Sequence, residues 1–291
     1  MSAASIALEP AAGRASSGLW SEIRRNPTIF LGCAILLVLA ACAVLAPWIA
    51  DDPLKHAPVN RLKAPSAEFW FGTDQFGRDI YSRIVYGARV SLIVGLSVAA
   101  ISSVLGLTIG LLCGFYRWFD GIVMRIMDGI MAIPSILLAI ALITLVHPSL
   151  TVVIIAIIIP EVPRIVRLVR SVVLSIREQP YIDGAVAGGT KAPRLLVRHV
   201  LPNAVAPLIV QATYVCASAI ITEAGLSFLG AGVPPEIPSW GNIIAQGRVF
   251  FQLTPWVILI PGVFLALTVL AVNMLGDGLR DRLDPRLARR M

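Results

Sequence analysis

The stretch Tyr181–Asn203, YIDGAVAGGTKAPRLLVRHVLPN, decides how the chain is organised, because it is a charged segment between two strongly apolar ones. Its residues predict two short helices. Pro180 suits a first helical position, where its missing N–H is not needed, and Gly188-Gly189 is a typical helix stop. Thr190 is the expected cap of the second helix, and Pro202 is its expected end. The pattern predicts a helix–glycine–helix unit that docks a soluble partner.

The composition of the chain is that of an integral membrane protein. Of its 291 residues, 57% are apolar and 14% are charged, whereas an ordinary soluble domain has roughly 25% charged residues. Several nearly charge-free runs of about 20 residues are long enough to cross a bilayer as helices. The net charge of +7 therefore does not indicate nucleic-acid binding, which needs a basic face on a soluble domain. Four cysteines lie in apolar runs without metal-ligand spacing, so we expect no metal site and no disulfide: Cys33, Cys42, Cys113 and Cys216.

Length and apolarity predict an all-α membrane protein with six membrane-spanning helices. The expected spans are Thr28–Ala50, Arg89–Phe115, Ile122–Val146, Leu150–Leu168, Ala204–Leu229 and Pro255–Gly276. The expected regions are a cytoplasmic tail at 1–27, the first span at 28–50, an extracytoplasmic loop at 51–88, a core of five spans at 89–279 that includes the charged loop 177–203, and a basic cytoplasmic tail at 280–291.

The distribution of Lys and Arg predicts that both chain termini are cytoplasmic. Most of the 24 Lys and Arg residues then lie in inner segments, as the positive-inside rule requires. The same orientation places Tyr181–Asn203 in the cytoplasm, since each of its charges would cost about 2.5–3.5 kcal/mol at the centre of a membrane helix. Five tryptophans near span ends are expected to anchor the chain at the membrane interface: Trp20, Trp48, Trp118, Trp240 and Trp256.

The charged loop resembles the EAA loop of the membrane subunits of binding-protein-dependent ABC importers. That motif has an acidic residue, two alanines, a glycine and a terminal H-x-L-P-N. The matching residues are Asp183 in the acidic position, Gly184 and Ala185 in the alanine positions, Gly189 in the glycine position, and His199, Leu201, Pro202 and Asn203 at the end. Asp183 is shorter than the usual Glu, and Gly184 lowers local helix stability by up to about 1 kcal/mol relative to Ala. The resemblance implies a type I importer permease whose coupling helix enters a groove on a separate ATPase subunit.

Three further stretches resemble the C-type permease subunits of the dipeptide/oligopeptide/nickel group. They are GTDQFGRDIYSRIVYGARVSL (Gly72–Leu92), EAGLSFLGAGVPPEIPSWGNII (Glu223–Ile244) and NMLGDGLRDRLDPR (Asn273–Arg286). The resemblance implies half of a translocation pathway for di- or oligopeptides in the plasma (inner) membrane, with nickel or another small solute as the alternative. The implied partners are a homologous B-type permease, two ATP-binding subunits, an extracytoplasmic solute-binding protein and membrane lipid. ATP and Mg would be bound by the ATPase subunits, and this chain itself would hold no cofactor.

Several residues keep two interpretations at this stage. Glu161 and Glu223 lie in apolar runs, where an ionisable group either lines a pathway or pairs within the helix bundle. His199 is expected to pack or hydrogen-bond within its loop, in preference to acting as a proton switch. The predicted outer turn is rich in glycine and charge: Gly72, Asp74, Gly77, Arg78 and Asp79. This turn either shapes a docking surface for the solute receptor or is a structural turn before the second span.

Two other classes of function fit the sequence less well, and no catalytic residue is predicted. Gly225-Leu226-Ser227 resembles the G-x-S of intramembrane serine proteases, in which the histidine base comes later in the chain, but no histidine follows His199 here. A secondary transporter would show internal repeats with charged or broken helices in paired positions, and we find no such repeat. The chain has no Walker A motif, so it is not its own ATPase. The sequence therefore predicts a transport subunit that is not an enzyme.

Overall fold

The computed structural model describes residues 27–283, whose regular structure is helical apart from an isolated β-bridge between Thr73 and Asp79. Most of the expected tails at 1–27 and 280–291 lies outside the described residues. The ten α-helices of this range are α1 (Pro27–Ile49), α2 (Ile80–Phe115), α3 (Arg117–Met131), α4 (Ser135–Thr144), α5 (Leu150–Arg177), α6 (Pro180–Ala187), α7 (Ala192–Leu195), α8 (Leu201–Phe228), α9 (Trp240–Gly247) and α10 (Trp256–Leu283). Short 3₁₀ turns lie at Pro58–Asn60 and Arg248–Phe250, and a π-helical turn at Leu196–Val200 joins α7 to α8.

Several helices of the described chain are long and apolar enough to cross a membrane. Four of them pass on their own: Pro27–Ile49, Ile80–Phe115, Ala192–Phe228 and Trp256–Leu283. The bent pair α3 and α4 makes a fifth if the two helices form one span. Helix α5 falls outside this group because it is too charged. Every 18-residue segment of it contains Glu161, Arg164 and Arg167. The all-α architecture with several apolar helices is thus confirmed.

Helix α10 continues to Leu283, past the expected Gly276, and helices α2 and α5 extend still farther beyond the ends that apolarity predicts. Helix α2 begins at Ile80, well before the expected Arg89, because Asp79 caps it there: the Asp79 carboxylate accepts a hydrogen bond from the backbone N–H of Ser82 at 2.8 Å. Helix α5 continues past its expected end to Arg177. Both extensions carry charged side chains, which lower the local apolarity but find partners in neighbouring elements.

The third expected span, Ile122–Val146, is divided into two helices. Helices α3 and α4 meet at an angle of 87°. The break lies at residues 132–134, where Pro134 has no N–H to donate and disfavours a helical conformation in the residue before it. Helix α3 is amphipathic, with Met127 buried and Trp118 exposed, whereas α4 is apolar between its first residue, Ser135, and its last, Thr144. The chain over the third expected span therefore forms two helices, and whether the pair makes one span stays a prediction.

The most extensive helix contact in the described chain joins α2 and α5. Three glycines of α2, spaced four residues apart, face three β-branched residues of α5 with the same spacing: Gly106 faces Ile165, Gly110 faces Val169 and Gly114 faces Val173. A Cβ atom at any of these glycines would lie only 2.4 to 2.7 Å from the facing side chain. Small residues allow such close approach of backbones between membrane helices. Because the pairs advance in the same direction along both helices, α2 and α5 are parallel and their C-terminal ends lie together.

Trp240 belongs to the core and does not anchor the chain at a membrane surface. Its side chain is fully buried, and its indole Nε1 donates a hydrogen bond to the carbonyl oxygen of Ile84 at 3.1 Å. Helix α9, which begins at Trp240, packs there against α2, α8 and α10. The prediction of an interface role for Trp240 is therefore wrong, whereas Trp48 and Trp118 are exposed near helix ends.

Candidate functional site

The charged loop follows α5 directly, at the end of the bundle where α2 and α5 finish. Helix α6 is held on one side by Ile182, which is 3% exposed, and by Ala185, both of which pack on the main hydrophobic cluster. Its other side exposes Tyr181, Asp183 and Val186. Ile182 and Ala185 are three residues apart and therefore lie on the same face of the helix. Helix α6 is thus attached by one face and presents apolar and acidic side chains on the other, an arrangement that can dock into a partner's groove.

Gly189 ends α6 through a Schellman motif. Its φ is +79°, its N–H donates to the carbonyl of Val186 at 2.9 Å, and the Thr190 N–H donates to the carbonyl of Ala185 at 3.0 Å. This motif needs a residue with left-handed backbone, a conformation that glycine adopts without a Cβ penalty. A Cβ atom at Gly189 or Gly184 would meet nothing within 4 Å beyond the local helix backbone, so both positions are open on the outer surface. The predicted glycine stop is confirmed.

The second half of the loop differs from the prediction in two ways. Lys191 occupies the N-cap of α7 without a side-chain hydrogen bond, because Thr190 already belongs to the stop of α6. Pro202 does not end a helix, because the π-helical turn at Leu196–Val200 continues directly into α8. The wider turn accommodates a proline, which lacks the N–H that regular α-helical bonding needs. The predictions of a Thr190 cap and a Pro202 stop are therefore wrong.

His199 and Asn203 connect the two halves of the loop through local contacts. The Asn203 Nδ2 donates to the carbonyl oxygen of His199 at 2.7 Å. The His199 ring lies 6.4 Å, centroid to centroid, from the ring of Tyr181 at the start of α6. Leu201 is half-buried and Pro202 is exposed at the start of α8. His199 therefore takes part in packing within the loop.

The surface beside α6 is basic. Lys191, Arg194 and Arg198 are exposed and are spaced by three and four residues, which places them on one side of the helical turns. Among residues 27–283 these three side chains form no ion pair with a carboxylate. Helix α6 thus offers a partner one carboxylate, Asp183, and the turns that follow it offer a cluster of cations.

At the opposite end of α2, about 50 Å away by helix length, Asp74 organises the predicted outer turn. Its side chain is buried, and its Oδ2 accepts hydrogen bonds from Arg78 Nε and Arg83 Nη1, both at 2.7 Å. Its Oδ1 accepts from the backbone N–H groups of Phe76 and Arg78 at 2.8 and 3.0 Å. Arg78 extends the network to Gln246 of α9 at 2.6 Å. Asp74 and Arg78 are therefore internal, and the geometry favours the structural-turn interpretation for both.

The remaining residues of the outer turn shape its backbone. Gly72 and Gly77 have φ values of +77° and +72°. A Cβ atom at Gly77 would lie 1.8 Å from the carbonyl oxygen of Ala57, so the turn excludes a side chain there. Asp79 caps α2. Sequence reasoning identified these residues but missed Arg83, since a partner across the turn leaves no local signal in the sequence.

The two glutamates in apolar helices pair within the bundle. Glu161 is buried, and its Oε1 lies 3.1 Å from Arg164 Nη1. Glu223 is fully buried, and its Oε1 accepts hydrogen bonds from Ser227 Oγ at 2.8 Å and Ser239 Oγ at 2.9 Å. The second carboxylate thereby joins the end of α8 to the N-cap of α9. Neither glutamate lies on an exposed surface of the chain.

Comparison with known proteins places this architecture in a family. The family described as the binding-protein-dependent transport system inner membrane component matches residues 106–289, and the N-terminal TM domain of oligopeptide transport permease C matches residues 17–65. The chain is 57% identical over 267 residues to a probable peptide ABC transporter permease protein of Sinorhizobium fredii, with 92% of each chain covered. It is 46% identical over 270 residues to a dipeptide transport system permease protein of Alkalihalophilus pseudofirmus, covering 92% of this chain and 89% of that one.

A solved structure supports the fold independently. A chain of the methionine ABC transporter MetNI in an inward-facing conformation aligns with a TM-score of 0.56 at 21% identity, over 69% of this chain and 96% of that chain. The family match extends over more than half of the present sequence, and the relatives are permease subunits, which are transport components and not catalysts. The chain therefore belongs to the family of binding-protein-dependent transport system inner membrane components, as the resemblance of its charged loop predicted.

Proposed function

We propose that this chain is the C-type permease subunit of an ATP-driven peptide importer and forms half of its translocation pathway. The observation that carries the proposal is the match over nine-tenths of the chain to relatives named as peptide and dipeptide permeases. Those names favour a peptide over the nickel alternative. The family is one of binding-protein-dependent transport and not of secondary transporters. In this proposal import is therefore driven by ATP that is bound by partner subunits.

The membrane arrangement proposed for this subunit has six spans in the plasma (inner) membrane, with both termini in the cytoplasm. The spans are α1, α2, the pair α3 and α4, α5, α8 and α10. Helix α5 crosses despite its charges because ion pairs with carboxylates compensate three of its arginines, which lowers the cost of burying them. These pairs are Glu161 with Arg164, Asp128 with Arg167, and Asp120 with Arg170. This orientation puts α6 on the cytoplasmic side and the turn around Asp74 outside.

Coupling to ATP hydrolysis is mechanical in this proposal, since the chain has no Walker A motif of its own. The exposed face of α6 enters a groove on an ATP-binding subunit, and the cations at Lys191, Arg194 and Arg198 meet acidic groups on its rim. ATP and Mg are held by the two ATP-binding subunits. Their movement displaces α6 together with α5 and α8, while a homologous B-type permease moves in the opposite sense. The pathway then opens alternately to the solute-binding protein outside and to the cytoplasm.

Reconstitution of the whole complex tests this function. The chain would be purified with its B-type permease and two ATP-binding subunits, placed in proteoliposomes, and supplied with the solute-binding protein. We expect dipeptides or short oligopeptides to raise ATP hydrolysis several-fold and to accumulate inside, whereas Ni²⁺ should do neither. Omission of the solute-binding protein is the control and should abolish the stimulation. Stimulation by Ni²⁺ alone would replace the peptide assignment, and peptide accumulation without ATP would refute the importer class.

A further inference from the structure

Helix α5 is attached to the junction of α2 and α3 at two points near its C-terminal end. Arg170 contacts Asp120 of α3 through two nitrogen–oxygen pairs, of which Nη2 to Oδ2 measures 2.6 Å. Arg177, the last residue of α5, donates from Nη1 to the carbonyl oxygens of Gly114 at 2.8 Å and Phe115 at 3.3 Å. Residues seven apart lie on the same side of a helix, so both arginines point at the same junction. We call these two contacts the clamp.

Both contacts of the clamp are of a kind that holds its geometry. A forked contact between arginine and carboxylate fixes orientation as well as distance. The side chains of Arg170 and Asp120 are only 31% and 20% exposed, so water screens them incompletely. Asp120 lies in the first turn of α3, where the helix dipole favours a negative charge. Arg177 satisfies carbonyls that the end of α2 leaves without a helical partner, and its guanidinium lies 5.4 Å from the centroid of the Phe115 ring.

The clamp lies directly beside the docking helix. Only Glu178 and Gln179 separate Arg177 from α6. This connection is itself hydrogen-bonded, from the Gln179 N–H to the Ile176 carbonyl at 3.0 Å and from the Ile182 N–H to the Gln179 carbonyl at 2.9 Å. On the far side of the clamp, α3 leads to the 87° bend before α4. A displacement of α6 thus has a short, bonded route to α3.

We propose that Arg170 and Arg177 are positioning residues that carry the displacement of α6 to the α2–α3 junction. Helix α3 then moves with α5 as one unit, and the bend at residues 132–134 takes up the motion relative to α4. This inference rests on the coupling role proposed for α6. A second ion pair one turn away, between Arg167 and Asp128, has side chains that are 44% and 60% exposed. Arg167 is farther from α6 along α5 than Arg170 is, and its pair is less enclosed than the pair of the clamp, so it lies outside the clamp and provides a comparison.

A charge exchange in the reconstituted complex tests the clamp. The variants are Asp120→Arg, Arg170→Asp and both together, and the measured quantity is peptide taken up per ATP hydrolysed. Each single change should lower this ratio by about tenfold, which corresponds to a change of about 1.4 kcal/mol in the barrier to coupled transport. ATP hydrolysis without peptide should be retained. The double exchange should restore most of the ratio. Arg167→Gln should lower the ratio less than either single exchange.

Further variants keep the test decisive if a reversed charge prevents assembly. Arg170→Lys and Arg177→Lys retain the charge but lose the planar fork, and each should lower the ratio to a value between those of the unaltered complex and the single reversals. A ratio equal to that of the unaltered complex in both lysine variants contradicts the clamp, as does a loss in Arg167→Gln as large as those of the single reversals. Failure of the proposed function shows differently, as absence of ATP-driven peptide uptake by the unaltered complex.

Discussion

Replacing Asp74 with alanine should destabilise the turn before α2 by about 3–5 kcal/mol, the range expected when one partner of a buried ion pair is removed. The reason is that two arginines share this one carboxylate: Arg78 is 5% exposed and Arg83 is 1% exposed. The Nε and Nη2 atoms of Arg83 have no hydrogen-bond partner among residues 27–283, so the contact of Nη1 with Asp74 supplies the ion pair that compensates this buried charge. Without Asp74, both guanidinium groups would have to be exposed to water, which opens the turn.

The measurement is the rate at which a protease cleaves the purified, detergent-solubilised chain between residues 51 and 79. Asp74→Ala should be cleaved much faster than the unaltered protein. Asp52→Ala is the matched control, because Asp52 is exposed and accepts only a local hydrogen bond from the Leu54 N–H at 2.9 Å. Asp74→Asn keeps an acceptor but loses the charge and should fall between the two. Equal cleavage of Asp74→Ala and Asp52→Ala would show that the buried charge network does not hold the turn.

The second large effect is expected at the contact between α2 and α5. In Gly110→Ala the new Cβ atom would lie 2.7 Å from Val169 Cβ and 2.9 Å from the carbonyl oxygen of Val166. Neither neighbour is the end of a flexible side chain, so the two helices have to separate. Overpacking of this kind costs about 1–3 kcal/mol, and it also shifts the end of α5 from which α6 continues. We expect a lower unfolding temperature and a lower peptide uptake per ATP.

Gly225→Ala in α8 is the control for this prediction. A Cβ atom at Gly225 would meet nothing within 4 Å beyond its own helix, so the change should stabilise α8 by up to about 1 kcal/mol through helix propensity alone. The same substitution in two apolar helices should therefore move the unfolding temperature in opposite directions. If both variants shift it alike, close packing of α2 on α5 does not explain the glycine.

The sequence predicted the elements whose signal is local. Apolar runs located α1, α8 and the start of α10 closely. The two glycines at 188–189 predicted the stop of α6, because glycine adopts the left-handed backbone found at Gly189 without a Cβ penalty. The family followed from motifs spread along the chain. These features depend on neighbouring residues or on residue type, both of which are visible without a structure.

The features that could not be predicted depend on contacts between distant residues. The expected spans left Arg83 and Arg177 outside, yet both residues belong to α2 and α5, where Asp74 and the carbonyl oxygen of Gly114 are their partners. Apolarity likewise could not show that Trp240 is buried. The break before Pro134 is an intermediate case: the proline was visible in the sequence, but the angle of 87° between α3 and α4 was not.

The central claim is that α6 is where this subunit meets an ATP-binding subunit. It is tested most directly by placing a photoreactive thiol probe at position 187, which is exposed on α6, after replacement of the four native cysteines. Illumination of the assembled complex should cross-link position 187 to an ATP-binding subunit. The same probe at Val59, which is 92% exposed at the opposite end of the molecule, should give no such product. An assembled complex in which position 187 does not cross-link to an ATP-binding subunit, or in which position 59 does, would contradict the account.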